Sequence, residues 1–129
     1  MCAPQELAEL YRRASAGIVF SLTTHSLVAQ EMMASGLPLV ELNGPNVTSE
    51  LGEPGERAEL VDPRPDAIAD ALERLLDDRE HAAAIARRAR DFVETRTWDR
   101  AGDQVEEALF DFLSRPFRQP GQTPAASTP

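Results

Sequence analysis

Residues 17–44, GIVFSLTTHSLVAQEMMASGLPLVELNG, contain the pattern that decides the fold. The run IVFSL at 18–22 is apolar and β-branched, which is typical of a strand covered on both faces. A helix follows that begins near Ser26 and ends at Gly36, and PLVEL at 38–42 is a second strand. A strand, a helix and a strand in this order predict a parallel βαβ unit with a right-handed crossover.

The same alternation continues on either side of this unit. PQELAELYRRA at 4–14 predicts a short amphipathic helix before the first strand. A short helical piece at 47–51 then leads to AELV at 58–61, a third strand. The fold class is therefore α/β, with a Rossmann-like parallel sheet of about three strands.

The remaining chain is predicted to be helical and then disordered. One helix opens at Pro65, a second follows Asp78, and Thr97 is the N-cap of a last one. The apolar face of the first of these helices consists of Ile68, Leu72, Leu75 and Leu76. Because the tail at 116–129 is rich in Pro, Ser and Thr, we expect a folded domain at 1–115 and a disordered tail at 116–129.

Composition excludes several classes of function. Apolar residues make up 42% and charged residues 27%, the net charge is −9, and the chain contains no Lys. This charge argues against a nucleic-acid or anionic-membrane surface, since both need clustered cations. The chain has a single cysteine, no signal-peptide pattern and no apolar run near the ~20 residues of a membrane span, so we expect a cytoplasmic protein without a transmembrane segment.

The connection from the first strand to the next helix is the candidate binding site. In parallel sheets, ligands lie beyond the carboxyl ends of the strands, where helix N-terminal amides face anions. Thr23, Thr24, His25 and Ser26 form this connection, and their amides suit a phosphate. Glu31 lies in the second turn of the helix, where a carboxylate accepts two hydrogen bonds from a ribose.

A metal site is not expected. Asp77 and Asp78 with nearby His81 resemble a ligand group, but adjacent Asp side chains point in different directions, so helix capping by Asp78 explains them better. The chain also has no Walker loop, no G-x-S-x-G motif and no paired Cys or His ligands. We therefore expect neither a metal nor another cofactor.

Four segments of the chain form a recognisable series, and their most specific part is EMMASGLP at 31–38. The segments are ELAELYRRASAGIVFSL, SLVAQEMMASGLPLVELNG, ELVDPRPDAIADALERLLDD and TWDRAGDQVEEALFDFL. Together they resemble the C-terminal part of family-four retaining glycosyltransferases of the GT-B fold, and most closely the bacterial rhamnosyltransferase-like members. The likeness extends over residues 5–113 and keeps the order of the elements.

The resemblance implies a donor site for a nucleoside diphosphate sugar. Glu31 takes the position of the family glutamate that contacts the donor ribose, and the amides of Ser26 and Leu27 take the diphosphate. The family's first glutamate corresponds to Thr23, so this chain lacks a carboxylate there and no catalytic residue is assigned. Thr23, Thr24 or His25 would replace it by hydrogen bonding.

The resemblance also implies that this chain is a partial GT-B C-terminal domain. The basic residues and the acceptor domain of the family lie upstream of the matching segments, so the N-terminal half is expected in the same gene or in a separate chain. The implied reaction transfers a sugar to a polysaccharide or lipid-linked glycan acceptor. Two alternatives stay open, a non-catalytic truncated nucleotide-binding or interaction module and, less favoured, a sugar-nucleotide epimerase-like fragment.

Overall fold

The computed structural model describes residues 3–21 and 26–115. Helices and strands alternate through the first half of the chain, and helices alone follow, as the sequence predicts. The elements are α1 (Pro4–Arg13), β1 (Gly17–Val19), α2 (Leu27–Ala34), β2 (Leu39–Leu42), α3 (Pro45–Leu51), β3 (Glu59–Val61), α4 (Pro65–Asp77), α5 (Arg79–Glu94) and α6 (Trp98–Ser114).

The three strands form one parallel sheet in the order β1-β2-β3. Val40 of β2 lies opposite Ile18 of β1 and Glu59 of β3. All four residues of β2 are buried, because this strand is paired on both sides and covered on both faces. The predicted fold class and strand number are confirmed.

Two apolar clusters lie on the two faces of the sheet. Leu39 and Leu60 point to the first face, where side chains from α2, α3 and the second half of α5 cover them. Val40 and Val61 point to the second face, which α4 and the first half of α5 cover. Placing α2 and α3 on one face follows from the right-handed crossovers between consecutive parallel strands.

Helix α5 belongs to both layers. Its Ala82 and Ile85 pack into the second cluster, whereas its Ala89 and Val93 pack into the first. The helix begins directly after α4, because the Asp78 carboxylate accepts a hydrogen bond from the His81 amide at 2.9 Å. The predicted capping role of Asp78 is confirmed.

Local signals at the ends of α2 are also confirmed. The Ser26 hydroxyl caps its first turn, and Gly36 lies beyond its last turn at a φ of 76°. A side chain at this φ is strained, which explains why glycine ends the helix.

The prediction of full coverage was wrong for β1. Ile18 and Phe20 are exposed, and the strand ends at Val19. Both side chains point to the face covered by α4, but α4 packs on β2 and β3 and leaves β1 uncovered. Leu76 is likewise exposed, and the buried residues of α4 are Ala71 and Leu75.

Helix α6 belongs to a separate compact unit. One unit extends to Arg96 and the other begins at Thr97. The Thr97 hydroxyl accepts a hydrogen bond from the Arg100 amide at 3.2 Å, so the predicted N-cap is confirmed. Taken by itself, α6 is an amphipathic helix with Val105, Leu109 and Phe112 at helical spacing.

A buried carboxylate joins β3 to α4 and α5 at the amino end of the sheet. Arg74 Nη2 lies 3.1 Å from Glu59 Oε2, and His81 Nε2 lies 2.6 Å from Glu59 Oε1. Burial raises the pKa of Glu59, but hydrogen bonds from His81 and Arg74 and their charges outweigh it and hold this pKa below its ordinary 4.5. The ionised form is therefore the form that stabilises the fold.

Gly17→Ala tests the packing between β1 and α2. An added Cβ would lie 2.7 Å from Leu39 Cδ2 and 2.9 Å from Met32 Sδ, and Leu39 is fully buried. We expect the free energy of unfolding to fall by about 1–3 kcal/mol, measured by urea denaturation. Gly102→Ala is the control and should not lower stability, because its Cβ would meet no atom within 4 Å beyond its chain neighbours and the backbone of its own helix, and Ala favours a helix over Gly. Equal stability of Gly17→Ala and the wild type would contradict this packing.

Glu59→Gln tests the ion pairs of this buried carboxylate through the pH dependence of stability. At neutral pH we expect a loss of roughly 1–3 kcal/mol, because hydrogen bonds to a charged group are lost. The wild-type advantage is present above pH 4.5 and disappears as the pH falls through the lower folded pKa, so the two proteins converge in acid.

The control for this experiment is Glu94→Gln, which removes an exposed ion pair with Arg90. Its effect should stay within about 0.5 kcal/mol at every pH. A constant difference between the wild type and Glu59→Gln from neutral to acid pH would refute the assignment.

Candidate functional site

The candidate site lies at the edge of the sheet formed by the carboxyl ends of the strands. Ser21 follows β1, Asn43 follows β2, and α2 begins at the same edge. Because all three strands are parallel, these residues come to one side of the sheet. This edge is where the sequence predicts the ligand.

The N-terminus of α2 offers hydrogen-bond donors to an anion. The first amides of a helix have no intrahelical acceptor. Ser26 Oγ accepts from the Val28 amide at 3.2 Å, and the Ser26 carbonyl accepts from the Gln30 amide at 3.3 Å. The capping residue thus fixes the first turn without using the amides of Ser26 and Leu27. These two amides suit a phosphate oxygen.

Glu31 lies in the second turn of α2 with an exposed side chain. Its backbone carbonyl accepts hydrogen bonds from Ser35, but within 3–21 and 26–115 its carboxylate has no hydrogen bond or ion pair. At 1.5 Å per residue, Glu31 stands about 6 Å along the helix from Leu27. Met33 beside it is fully buried, so the helix presents Glu31 outward while its other face holds the core.

Three of the predicted site residues, Thr23, Thr24 and His25, lie outside the described residues. Their assignment to the donor site stays a prediction. Ser26, Leu27 and Glu31 are the candidates whose positions the structure describes. Ser26 is the N-cap of α2, and Leu27 and Glu31 lie in its first two turns.

The turn after β2 forms the neighbouring part of the edge. Asn43 donates its amide to the Val61 carbonyl at 2.7 Å, and its Oδ1 accepts from Thr48 Oγ1 at 3.0 Å. Gly44 then precedes the first turn of α3. These bonds give Asn43 a structural role in the turn between β2 and α3.

A second buried carboxylate, Glu41, lies beneath this edge. It is fully buried in β2, and its Oε1 accepts from the Ser21 amide at 2.7 Å and from the Leu42 amide at 2.9 Å. Its Oε2 accepts from Ser21 Oγ at 2.9 Å. Three donors within 2.9 Å compensate the loss of hydration that burial imposes on a carboxylate.

The sequence analysis missed both buried carboxylates. Glu41 stands within the apolar run PLVEL, and Glu59 within AELV. A charged residue inside a strand that is expected to be covered on both faces was the available signal, because such a residue needs buried partners. It could not have identified those partners, which come from Ser21 in one case and from α4 and α5 in the other.

Other kinds of site find no support in the part of the chain that the structure describes. Its His, Cys, Asp and Glu residues form no group of three that would hold a metal ion. Among its helices, none combines the length and apolar character needed to cross a membrane.

Residues 2–92 match the family described as Glycosyl transferases group 1. The chain belongs to this family. The match includes the whole sheet, α2 with Glu31, and most of α5.

Individual glycosyltransferases extend the comparison. The chain is 34% identical over 113 residues to the D-inositol 3-phosphate glycosyltransferase of Corynebacterium glutamicum, covering 86% of this chain and 27% of that protein. It is 31% identical over 127 residues to the corresponding protein of Corynebacterium urealyticum, covering 96% of this chain and 30% of that protein. The chain therefore spans less than a third of the length of these curated relatives.

A solved structure shows the same fold. Sucrose-phosphate synthase from Thermosynechococcus elongatus superposes with a TM-score of 0.71 and 26% identity, over 84% of this chain and 28% of that chain. The predicted GT-B, Rossmann-like architecture of this glycosyltransferase domain is confirmed.

Proposed function

We propose that this domain binds the nucleoside diphosphate part of a sugar donor at the carboxyl edge of its sheet. The observation that carries the proposal is Glu31, an exposed carboxylate without a partner in the described structure, in the second turn of a helix whose first amides face the same edge. Membership of the glycosyl transferases group 1 family supports this function.

Glu31 recognises the ribose in this proposal. Its two oxygens accept hydrogen bonds from the vicinal hydroxyls, and charged acceptors form the stronger hydrogen bonds of this kind. Since no described residue competes for the carboxylate, binding need not break an existing ion pair. Binding then exchanges the water around the carboxylate for two ribose hydroxyls, and only the net gain of this exchange contributes to affinity.

The start of α2 receives the diphosphate. The amides of Ser26 and Leu27, together with the positive end of the helix dipole, stabilise the charge that develops on the leaving diphosphate. Thr23, Thr24 and His25 complete this anion site in the proposal. This arrangement uses hydrogen-bond donors and needs no metal ion.

The complete reaction transfers the sugar to a polysaccharide or lipid-linked glycan acceptor in the cytoplasm. Resemblance to rhamnosyltransferase-like proteins favours a deoxyhexose donor. The names of the two curated relatives favour an inositol phosphate as a second candidate acceptor. An N-terminal GT-B half supplies the acceptor site and basic residues. Coverage of less than a third of each relative supports a requirement for this half.

Binding of nucleotides distinguishes this proposal from a non-catalytic interaction module. Titration of the 129-residue chain with UDP, GDP and ADP by isothermal calorimetry should show saturable binding of at least one of them. Absence of binding by all three at millimolar concentration would leave the family fold without the donor site. An epimerase-like activity would instead interconvert free sugar nucleotides without any acceptor.

Glu31→Ala should weaken binding of the preferred nucleotide roughly 10–100-fold, because hydrogen bonds between a carboxylate and the ribose are lost. The corresponding 2′-deoxynucleotide should lose affinity for the wild type and little for the variant. Calorimetric dissociation constants provide the measurement.

Glu73→Ala is the matched control for Glu31→Ala. Glu73 is also an exposed helical glutamate, but it belongs to α4, which covers the face of the sheet opposite to α2. Its removal should leave the dissociation constant unchanged. Wild-type affinity in Glu31→Ala would remove Glu31 from the site.

A further inference from the structure

The strands β1 and β2 separate at the point where Glu41 is buried. Val19 of β1 is the last residue paired with β2, and its partner is Glu41. Beyond this pair, the amides of Ser21 and Leu42 both donate to Glu41 Oε1 instead of to the neighbouring strand. The carboxylate therefore replaces backbone pairing where the two strands diverge.

This position lies on the same side of the sheet as α2. Glu41 alternates with Val40 along β2 and so shares the face of Leu39, which packs against α2 and α3. Ser21 is the last described residue before the segment that leads to Ser26. Glu41 thus fixes the backbone at the exit of β1 through its hydrogen bonds with Ser21.

Both hydrogen-bond donors of Ser21 are used by Glu41. Its amide and its hydroxyl both point to Glu41, at 2.7 and 2.9 Å, so neither is directed at a ligand. Donors for a diphosphate come from residues closer to α2. A fully buried carboxylate with three protein donors is a fixed support rather than a ligand contact.

We infer that Glu41 is a positioning residue of the donor site, which fixes the exit of β1 through Ser21 and thereby sets the place of the nucleotide without touching it. This inference rests on the proposed function. It predicts that donor affinity depends on the shape and hydrogen-bonding capacity of the side chain at position 41 and not on its negative charge.

Two substitutions of Glu41 separate geometry from charge. Glu41→Gln keeps an oxygen that accepts both amides, and its amide group can donate to Ser21 Oγ. We expect its dissociation constant for the preferred nucleotide among UDP, GDP and ADP to stay within about threefold of the wild type. Glu41→Leu keeps the size but removes all acceptors, and its affinity should fall at least roughly tenfold.

The matched control is Glu59→Leu. Glu59 is the other buried carboxylate of the sheet, but it lies at the amino end of β3, away from the site. Both leucine variants lose stability, so a merely structural role predicts equal effects on nucleotide affinity. Our inference predicts that only Glu41→Leu loses affinity, measured at a temperature where circular dichroism shows both variants folded.

A second measurement does not depend on nucleotide. Hydrogen exchange, followed by mass spectrometry, should accelerate around Ser21 and the first turn of α2 in Glu41→Leu, but not in Glu41→Gln or Glu59→Leu. If Glu41→Leu does not fold, Ser21→Ala replaces it, with an expected loss of affinity of about threefold to fivefold.

The outcomes separate the two proposals. Wild-type affinity in folded Glu41→Leu, or in Ser21→Ala where that variant is used, overturns the positioning role and leaves the donor site standing. Equal losses in Glu41→Leu and Glu59→Leu overturn it as well. Failure of the wild type to bind any of the three nucleotides overturns the proposed function, and the inferred role of Glu41 with it.

Discussion

The complete burial of β2 is the constraint on which the rest of this domain depends. A strand that is paired on both sides and covered on both faces needs a neighbour at each edge and a helical layer above and below. Parallel pairing then requires a crossover for each new strand, and right-handed crossovers place α2 and α3 on one face. The second face is left to α4 and α5.

The sheet also contains two buried glutamates, one in β2 and one in β3. Glu41 and Glu59 belong to adjacent strands, but they point to opposite faces and lie toward opposite ends of the sheet. Glu59 receives charged partners from the helices that cover its face, whereas Glu41 receives neutral donors from the backbone and hydroxyl at the exit of β1. One carboxylate therefore joins layers, and the other shapes the edge at which we place the ligand.

Sequence patterns were sufficient for the order and type of the elements because their signals are local. Gly36, Asp78 and Thr97 act through the backbone of the turns in which they stand, so their roles are visible without tertiary structure. Coverage is a tertiary property. The exposure of Ile18 and Phe20 depends on how far α4 extends across the sheet, which their apolar character does not encode.

The candidate site likewise has features that local sequence predicts and others that depend on tertiary structure. The cap at Ser26 and the outward position of Glu31 follow from helix geometry, so both could be predicted from spacing. Two of the three donors to Glu41 come from Ser21, twenty residues away in sequence, and meet it only because of the strand register. The hydrophobic periodicity of the sequence does not predict a contact between residues so far apart.

Helix α5 has a consequence for how this domain unfolds. Because one continuous helix supplies Ala82 and Ile85 to one apolar cluster and Ala89 and Val93 to the other, neither layer can lose its packing while the other keeps an intact α5 in place. The packing of the two faces of the sheet is thus coupled through α5. Melting of either face is therefore transmitted to the other, and the sheet with its helices behaves as one cooperative unit.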